Sequence, residues 1–116
     1  MLYAIWSVGD RDYKCRLTAR ACVDLEKKLG ENPLNVFIKM ADTALPAVSD
    51  LITILHASLQ SMEHGISLDR TYELYDQYVD EGHSLTELIP LILDIFKVSG
   101  FFNEEQEKNA EMEAAR

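Results

Sequence analysis

The sequence predicts an α-rich α+β fold, with an N-terminal β-hairpin at residues 2–17 followed by a bundle of about five helices in a single domain. Two short apolar segments flank a Gly-Asp turn, and the segments after them repeat apolar residues at helical spacing. A chain of 116 residues, 47% of them hydrophobic, has material for one core but not for two. We expect the domain to span residues 1–102. The charged segment 103–116, which lacks an apolar stripe, should form a frayed helix or be disordered.

The hairpin is indicated by residue types on both sides of a turn. Residues 2–8, LYAIWSV, are rich in aromatic and β-branched side chains, and Gly9 and Asp10 supply the turn. Residues 13–17, YKCRL, then alternate apolar and basic side chains. A two-stranded hairpin is marginally stable alone, so we expect it to pack on the helices, and its edge makes self-association possible.

Two helices follow with clear boundary residues. Thr18 is placed to cap the first helix and Gly30 to end it. Asn32 and Pro33 then suit the start of a second helix. The expected apolar positions of these two helices are Cys22, Leu25, Leu29, Leu34, Phe37, Ile38, Ala41 and Leu45.

The third helix carries the strongest periodic signal and should end before Gly65. Ile54 lies off its main stripe, which predicts burial on more than one side and therefore a central position. The stripe itself consists of Val48, Leu51, Ile52, Leu55, Leu59 and Met62.

Two further helices complete the bundle. Ser67 is placed to cap the fourth helix and Gly82 to end it. Ser84 and Glu87 have capping-box spacing before the fifth helix, and Pro90 predicts a kink or a late start there. The apolar face predicted for the fourth helix consists of Leu68, Tyr72, Tyr75 and Val79.

Charge and cysteine content exclude several classes of protein. The net charge is −9, and residues 61–116 carry 13 acidic against 4 basic side chains, whereas residues 1–60 carry 7 of each. Nucleic-acid binding needs a basic face, so it is not expected. The start of the chain lacks a secretory signal, and the longest aliphatic run, LIPLIL at 88–93, is too short to span a membrane. Cys15 and Cys22 are expected to be two buried thiols.

No catalytic, cofactor or metal site is predicted, and we do not expect an enzyme. The three histidines lack ligand spacing, and the sequence has no phosphate-binding glycine loop and no nucleophile elbow. Residues 76–87 begin and end like a calcium loop, but Tyr78 replaces a ligand and Gly82 comes one position late.

Aromatic residues instead indicate a surface for a protein partner. Tyr72, Tyr75 and Tyr78 recur every three residues, so they cannot all face one core. Phe101 and Phe102 are adjacent and point in different directions on a helix. The predicted partner-contact residues are Tyr75, Tyr78, Phe101 and Phe102.

Residues 13–37, YKCRLTARACVDLEKKLGENPLNVF, resemble the N-terminal region of tail assembly chaperones of long-tailed bacteriophages and of related gene transfer agent proteins. The residues that carry the resemblance are Arg16, Leu17, Thr18, Leu25, Glu26, Gly30, Pro33, Leu34 and Phe37. The resemblance implies a protein that binds the tape measure protein, keeps it soluble during tail assembly and helps to recruit the tail tube protein. It also implies a location in the cytoplasm of the bacterial host and absence from the mature virion.

Two alternatives remain open. One is a structural tail or head-tail connector component that is retained in the virion. The other is an acidic inhibitor that mimics DNA, for which regularly spaced carboxylates would be the expected feature. The acidic residues of the second half are irregularly spaced and the first half is neutral, which weighs against this alternative.

Overall fold

The computed structural model describes residues 2–41 and 47–101. Its elements are β1 Ala4–Val8, β2 Arg11–Cys15, α1 Ala19–Leu29, α2 Leu34–Ala41, α3 Val48–Leu59, α4 Leu68–Asp80, a 3-10 turn Leu85–Glu87 and α5 Leu88–Val98. The predicted fold, an N-terminal hairpin followed by five helices in a single domain, is confirmed. The segment 103–116, Leu45 and the side chains of Phe37 and Ala41 lie outside what the structure describes.

The hairpin packs one face on the helices. Strands β1 and β2 are antiparallel, with Ala4 opposite Cys15 and Val8 opposite Arg11. Side chains alternate between the two faces of a strand, so a single set of residues turns inward. The buried set consists of Ala4, Trp6, Val8, Tyr13 and Cys15.

The hairpin turn is hydrogen-bonded to the end of α4. Gly9 has a φ of 62°, a left-handed conformation that favours glycine. Its N–H donates a hydrogen bond to Glu81 Oε1 at 2.9 Å, and a Cβ there would lie 2.7 Å from Gln77 Nε2. The backbone conformation therefore favours glycine at this position, whereas the exposed Gln77 side chain can move to make room for a Cβ.

The junction between β2 and α1 is tied to two other helices. Arg16 donates its N–H to the Ser58 carbonyl at 2.8 Å, and the Ser61 hydroxyl donates to the Arg16 carbonyl at 3.1 Å. Leu17 donates its N–H to Ser99 Oγ at 2.9 Å, just after α5. The segment 16–18 therefore joins the hairpin to both α3 and α5.

Helix α3 is central, as predicted, because it contacts β2, α1, α4 and α5. Ile54 is fully buried together with Leu51 and Leu55. Two positions of the predicted stripe were wrong: Val48 is 41% exposed, and Met62 lies beyond the end of the helix.

Most predicted helix boundaries are confirmed by their hydrogen bonds. The side chains of Thr18 and Ser67 accept backbone N–H groups at the starts of α1 and α4, and Asn32 does the same before α2. Gly30 has a φ of 74° and ends α1. Each of these residues satisfies backbone groups that helix ends leave without partners.

The predicted capping box before α5 was wrong. The Ser84 hydroxyl bonds to the Thr86 hydroxyl at 2.9 Å, and Glu87 pairs with His83 at 2.6 Å, so neither side chain caps the backbone. The helix begins one residue after Glu87, which places Pro90 in its first turn. The predicted late start is therefore confirmed, since an N–H in the first turn has no partner within the helix.

The two cysteines differ in burial and should differ in reactivity. Both are free thiols; Cys15 is fully buried and Cys22 half-buried. Burial raises the pKa of Cys15 to about 12 and raises that of Cys22 as well. Because the thiolate is the reactive form, we expect Ellman's reagent to modify Cys22 first in the native protein. In Cys22→Ser, Cys15 should react only after unfolding; equal rates for both thiols in the native protein would contradict their placement.

Candidate functional site

The face of α4 that was predicted to be buried is partly exposed to solvent. Leu68, Tyr72 and Val79 are 40%, 37% and 42% exposed. The structure buries Thr71, Leu74 and Tyr78 instead. Consecutive residues of a helix differ by about 100°, so the helix is rotated by roughly one residue step from the predicted orientation.

The buried face of α4 carries one polar and two apolar side chains. Thr71 is fully buried, and its hydroxyl donates to the Ser67 carbonyl at 2.9 Å, which satisfies this polar group. Leu74 is 1% exposed. The Tyr78 ring meets the edge of Trp6 at a centroid distance of 5.8 Å. These contacts bring Tyr78 rather than Tyr75 to the hairpin.

The rotation leaves a continuous apolar surface, which we name the α4 stripe and define as Leu68, Tyr72, Tyr75 and Val79. The spacing of four, three and four residues places these side chains on one helix face over about three turns, or roughly 16 Å. Tyr75 is half-buried and packs against the core, so it forms the inner edge of the stripe. The other three side chains each expose about two fifths of their surface to solvent in the described structure.

Acidic residues run beside this stripe with the same spacing. We name Asp69, Glu73, Asp76 and Asp80 the carboxylate stripe; each follows one member of the α4 stripe, and all four are exposed. They lie on the flank of the apolar surface that faces away from the core. Arg70 is the only basic residue in the sequence of α4, and it lies 3.6 Å from Glu73 in an exposed ion pair.

The predicted contact residue Tyr78 belongs to the core. It is 7% exposed, and its ring stacks on His83 at 4.2 Å. Burial raises the pKa of the Tyr78 phenol, and the negative charge of Glu87 raises it further. Tyr78 therefore offers almost no surface to a partner, and its assignment as a contact residue is corrected.

The other predicted contact residues have different positions. Tyr75 lies at the inner edge of the α4 stripe. Phe101 is half-buried, and its ring meets that of Phe96 edge-on at 5.0 Å, which fixes the chain after α5. Phe102 lies outside the described residues. Tyr75 and Phe101 thus pack against the core from different parts of the chain, α4 and the segment after α5.

The sequence reasoning missed Leu68, Tyr72 and Val79 as surface residues. The signal that locates them is the carboxylate stripe, because a row of charged residues marks the solvent side of a helix. That row lies nearly opposite the buried Thr71 and Tyr78 on the helical projection, so the α4 stripe lies between the solvent side and the core.

The outer face of the hairpin is a second apolar surface. Tyr3 and Ile5 turn to this face and are 39% and 43% exposed, and Leu2, which precedes β1, is 70% exposed. Lys14 donates its N–H to Glu63 Oε1 at 3.2 Å, so a carboxylate covers the outer edge of β2. In the described residues, β1 pairs with β2 alone. Self-association through the hairpin stays a prediction, and β1 offers the open edge for it.

A small pocket between α1 and α3 contains a histidine. Asp24, Lys28, His56 and Gln60 line it. Burial lowers the pKa of His56 below its usual 6.5, and the nearby positive charge of Lys28 lowers it further. Its Nδ1 atom is buried without a hydrogen-bond partner in the described structure.

The lowered pKa of His56 makes stability depend on pH. The unfolded chain takes up the proton near pH 6.5, whereas folded His56 resists it, so this contribution to stability is lost as the pH falls below 6.5. Between about pH 7.5 and about pH 5.5, we expect the melting temperature of His56→Gln to fall less than that of the wild type. His64→Gln, at an exposed position, controls for the loss of one histidine. An equal loss in the wild type and His56→Gln would contradict the burial of His56.

The described residues contain neither a metal-binding cluster nor a membrane-spanning helix. Across 2–41 and 47–101, no group of three or more His, Cys, Asp or Glu side chains is arranged to hold a metal ion. Within the same residues, no helix combines the length and the apolar character that crossing a membrane requires.

Comparison with known proteins gives one match. A family model described as a family of unknown function (DUF6096) matches residues 4–115. No curated protein and no solved structure matches the chain.

Proposed function

This chain belongs to DUF6096, a family of unknown function. Because the family supplies no role, we propose one from the surface residues of this chain. The protein is a tail assembly chaperone of a phage or prophage. It binds the tape measure protein through the α4 stripe and keeps it soluble during tail assembly.

The observation that carries the proposal is the exposure of the α4 stripe. Leu68, Tyr72 and Val79 leave about two fifths of their surface in water although the domain has a complete core beneath them. A helical client that has not yet assembled exposes apolar stripes of its own. Packing two such stripes together removes both from water, which is the helix-in-groove mode of recognition.

The resemblance of residues 13–37 supports the same role. These residues form the end of β2, the hydrogen-bonded junction at 16–18, α1 and the start of α2. They therefore build the frame onto which α3 packs, and α4 packs in turn on α3 and β1. In the proposed protein this segment is structural, and α4 presents the binding surface.

A chaperone of this kind works by covering its client and needs no bond-making chemistry. The proposed protein accordingly uses no cofactor, acts in the cytoplasm of the bacterial host and leaves before the virion is complete. Recruitment of the tail tube protein is a further part of this role.

Co-expression tests the proposal. The tape measure protein encoded near this chain should be largely insoluble alone and should become soluble and co-purify when the chain is present. Equal aggregation with and without the chain would overturn the proposal. A mass-spectrometric inventory of mature virions tests the structural alternative, because a retained component would be detected there and a chaperone would not.

One observation favours the DNA-mimic alternative. Although the acidic residues are irregular along the second half as a whole, four of them are regularly spaced on α4. A mimic needs only these charges, so substitution of Leu68, Tyr72 and Val79 would leave its binding to a basic protein unchanged. The chaperone proposal predicts that the same substitutions strongly weaken client binding.

A further inference from the structure

We propose that the occupant of the α4 surface is a basic amphipathic helix of another polypeptide, with an apolar stripe and Lys or Arg residues along one flank of it. This inference rests on the proposed function and specifies the chemistry of the client segment. The apolar stripe of the client lies on the α4 stripe, and its basic flank lies on the carboxylate stripe.

The one-sided placement of charge is the first step of the argument. The carboxylate stripe borders the α4 stripe on its outer flank, whereas on the inner flank Thr71, Leu74 and Tyr78 enter the core. Helices pack at interaxial distances of about 8–10 Å, a gap that Lys and Arg side chains on one flank of a partner can cross. The surface therefore selects a helix whose basic residues lie on a single side.

The lack of compensating cations is the second step. Within α4 only Arg70 opposes the four carboxylates, and it lies 3.6 Å from Glu73 with both side chains at least half exposed. Such an exposed pair is weak, so the stripe keeps most of its negative potential. That potential favours a basic partner and speeds its association, while burial of the apolar stripes supplies most of the affinity.

Charge also disfavours two other occupants. Residues 103–116 of this chain carry five acidic and two basic side chains, so the carboxylate stripe repels them as a whole. A second copy of α4 packed antiparallel would bring the two carboxylate stripes to the same side of the pair. A basic helix meets neither obstacle.

Two synthetic helical peptides with identical apolar stripes test the inference. One carries Lys along one flank, and the other carries Glu at the same positions. With the full chain and fluorescence anisotropy, we expect the Lys peptide to bind at least about tenfold more tightly than the Glu peptide. Its affinity should fall between about 0.05 M and about 0.3 M NaCl, because salt screens exposed charges. Equal affinities for the two peptides, or no binding of either, would overturn the inference.

A charge reversal on α4 gives the sharper test. The variant Glu73→Lys, Asp76→Lys, Asp80→Lys leaves Asp69 in place, since an acid in the first turn stabilises the helix. We expect this variant to lose the preference for the Lys peptide and to bind the Glu peptide more tightly than the wild type does.

The matched control is Asp24→Lys, Glu26→Lys, Asp94→Lys, which changes the net charge equally at exposed positions on α1 and α5. It should keep the preference of the wild type. If both variants change the preference to the same extent, net charge alone is responsible and the inference fails. Circular dichroism establishes that both variants fold.

The outcomes separate this inference from the proposed function. A tape measure protein that this chain solubilises, together with peptides that are not discriminated, would overturn the inference and leave the chaperone role standing. Discrimination of the peptides without any effect on the tape measure protein would overturn the chaperone role and leave the recognition of a basic helix standing.

Discussion

Replacing Trp6 by Ala is expected to lower the free energy of unfolding by about 3–5 kcal/mol. Trp6 is 1% exposed, and its ring lies 6.3 Å from that of Tyr13 and 5.8 Å from that of Tyr78. It thus holds the hairpin on α4. A small domain is stable by about 5–15 kcal/mol, so the loss removes a large part of the total. Urea unfolding followed by far-ultraviolet circular dichroism measures it, because Trp6 is the only tryptophan.

Two further substitutions serve as comparisons for Trp6→Ala. Ile5→Ala, on the outer face of the same strand, where the side chain is 43% exposed, should cost less than about 1 kcal/mol. Trp6→Phe should cost less than Trp6→Ala, because it keeps a ring and removes an indole N–H that is buried without a partner in the described structure. If Trp6→Ala were no more destabilising than Ile5→Ala, the hairpin would not be packed on the helices as the structure shows.

The variant Leu68→Gln, Tyr72→Gln, Val79→Gln is expected to weaken client binding by about a hundredfold or more while the domain stays folded. Each side chain is already about two fifths exposed, so its loss costs the free protein little. In a complex the same three groups would be buried together, and the loss of apolar burial adds up. The measurement is the soluble fraction of the co-expressed tape measure protein, followed by its affinity for the purified variant.

The control for this variant is Val23→Gln, Ile38→Gln, Val48→Gln. These residues are 50%, 54% and 41% exposed and lie on α1, α2 and α3, so the control removes a similar exposed apolar surface elsewhere. Client binding should be retained. Equal losses in both variants would show that the client recognises apolar surface in general rather than the α4 stripe.

Local chemistry explains why the helix boundaries were predictable. Thr18, Gly30 and Ser67 act through hydrogen bonds or backbone conformations within four residues of themselves, so the sequence alone specifies them. The capping box before α5 failed because Glu87 has a competing neighbour in His83. A spacing rule does not rank two partners that are both within reach.

The orientation of α4 was not predictable from its own apolar residues. The helix carries two candidate faces about 100° apart, and counting apolar residues favoured the one with Leu68, Tyr72 and Val79. The hairpin selects the observed orientation of α4, because Trp6 packs against Tyr78. These two residues are far apart in the sequence, so no local pattern predicts their contact. The candidate site was therefore missed through the same error that misplaced Tyr78.

The central claim is that a second polypeptide covers the α4 stripe, and site-specific crosslinking tests it most directly. The photo-reactive residue p-benzoylphenylalanine is placed at position 72 of the co-expressed chain, or at position 38 as an exposed control on α2. The account predicts that irradiation links the tape measure protein to position 72 and not to position 38. A crosslink from position 38 with none from position 72 would contradict it.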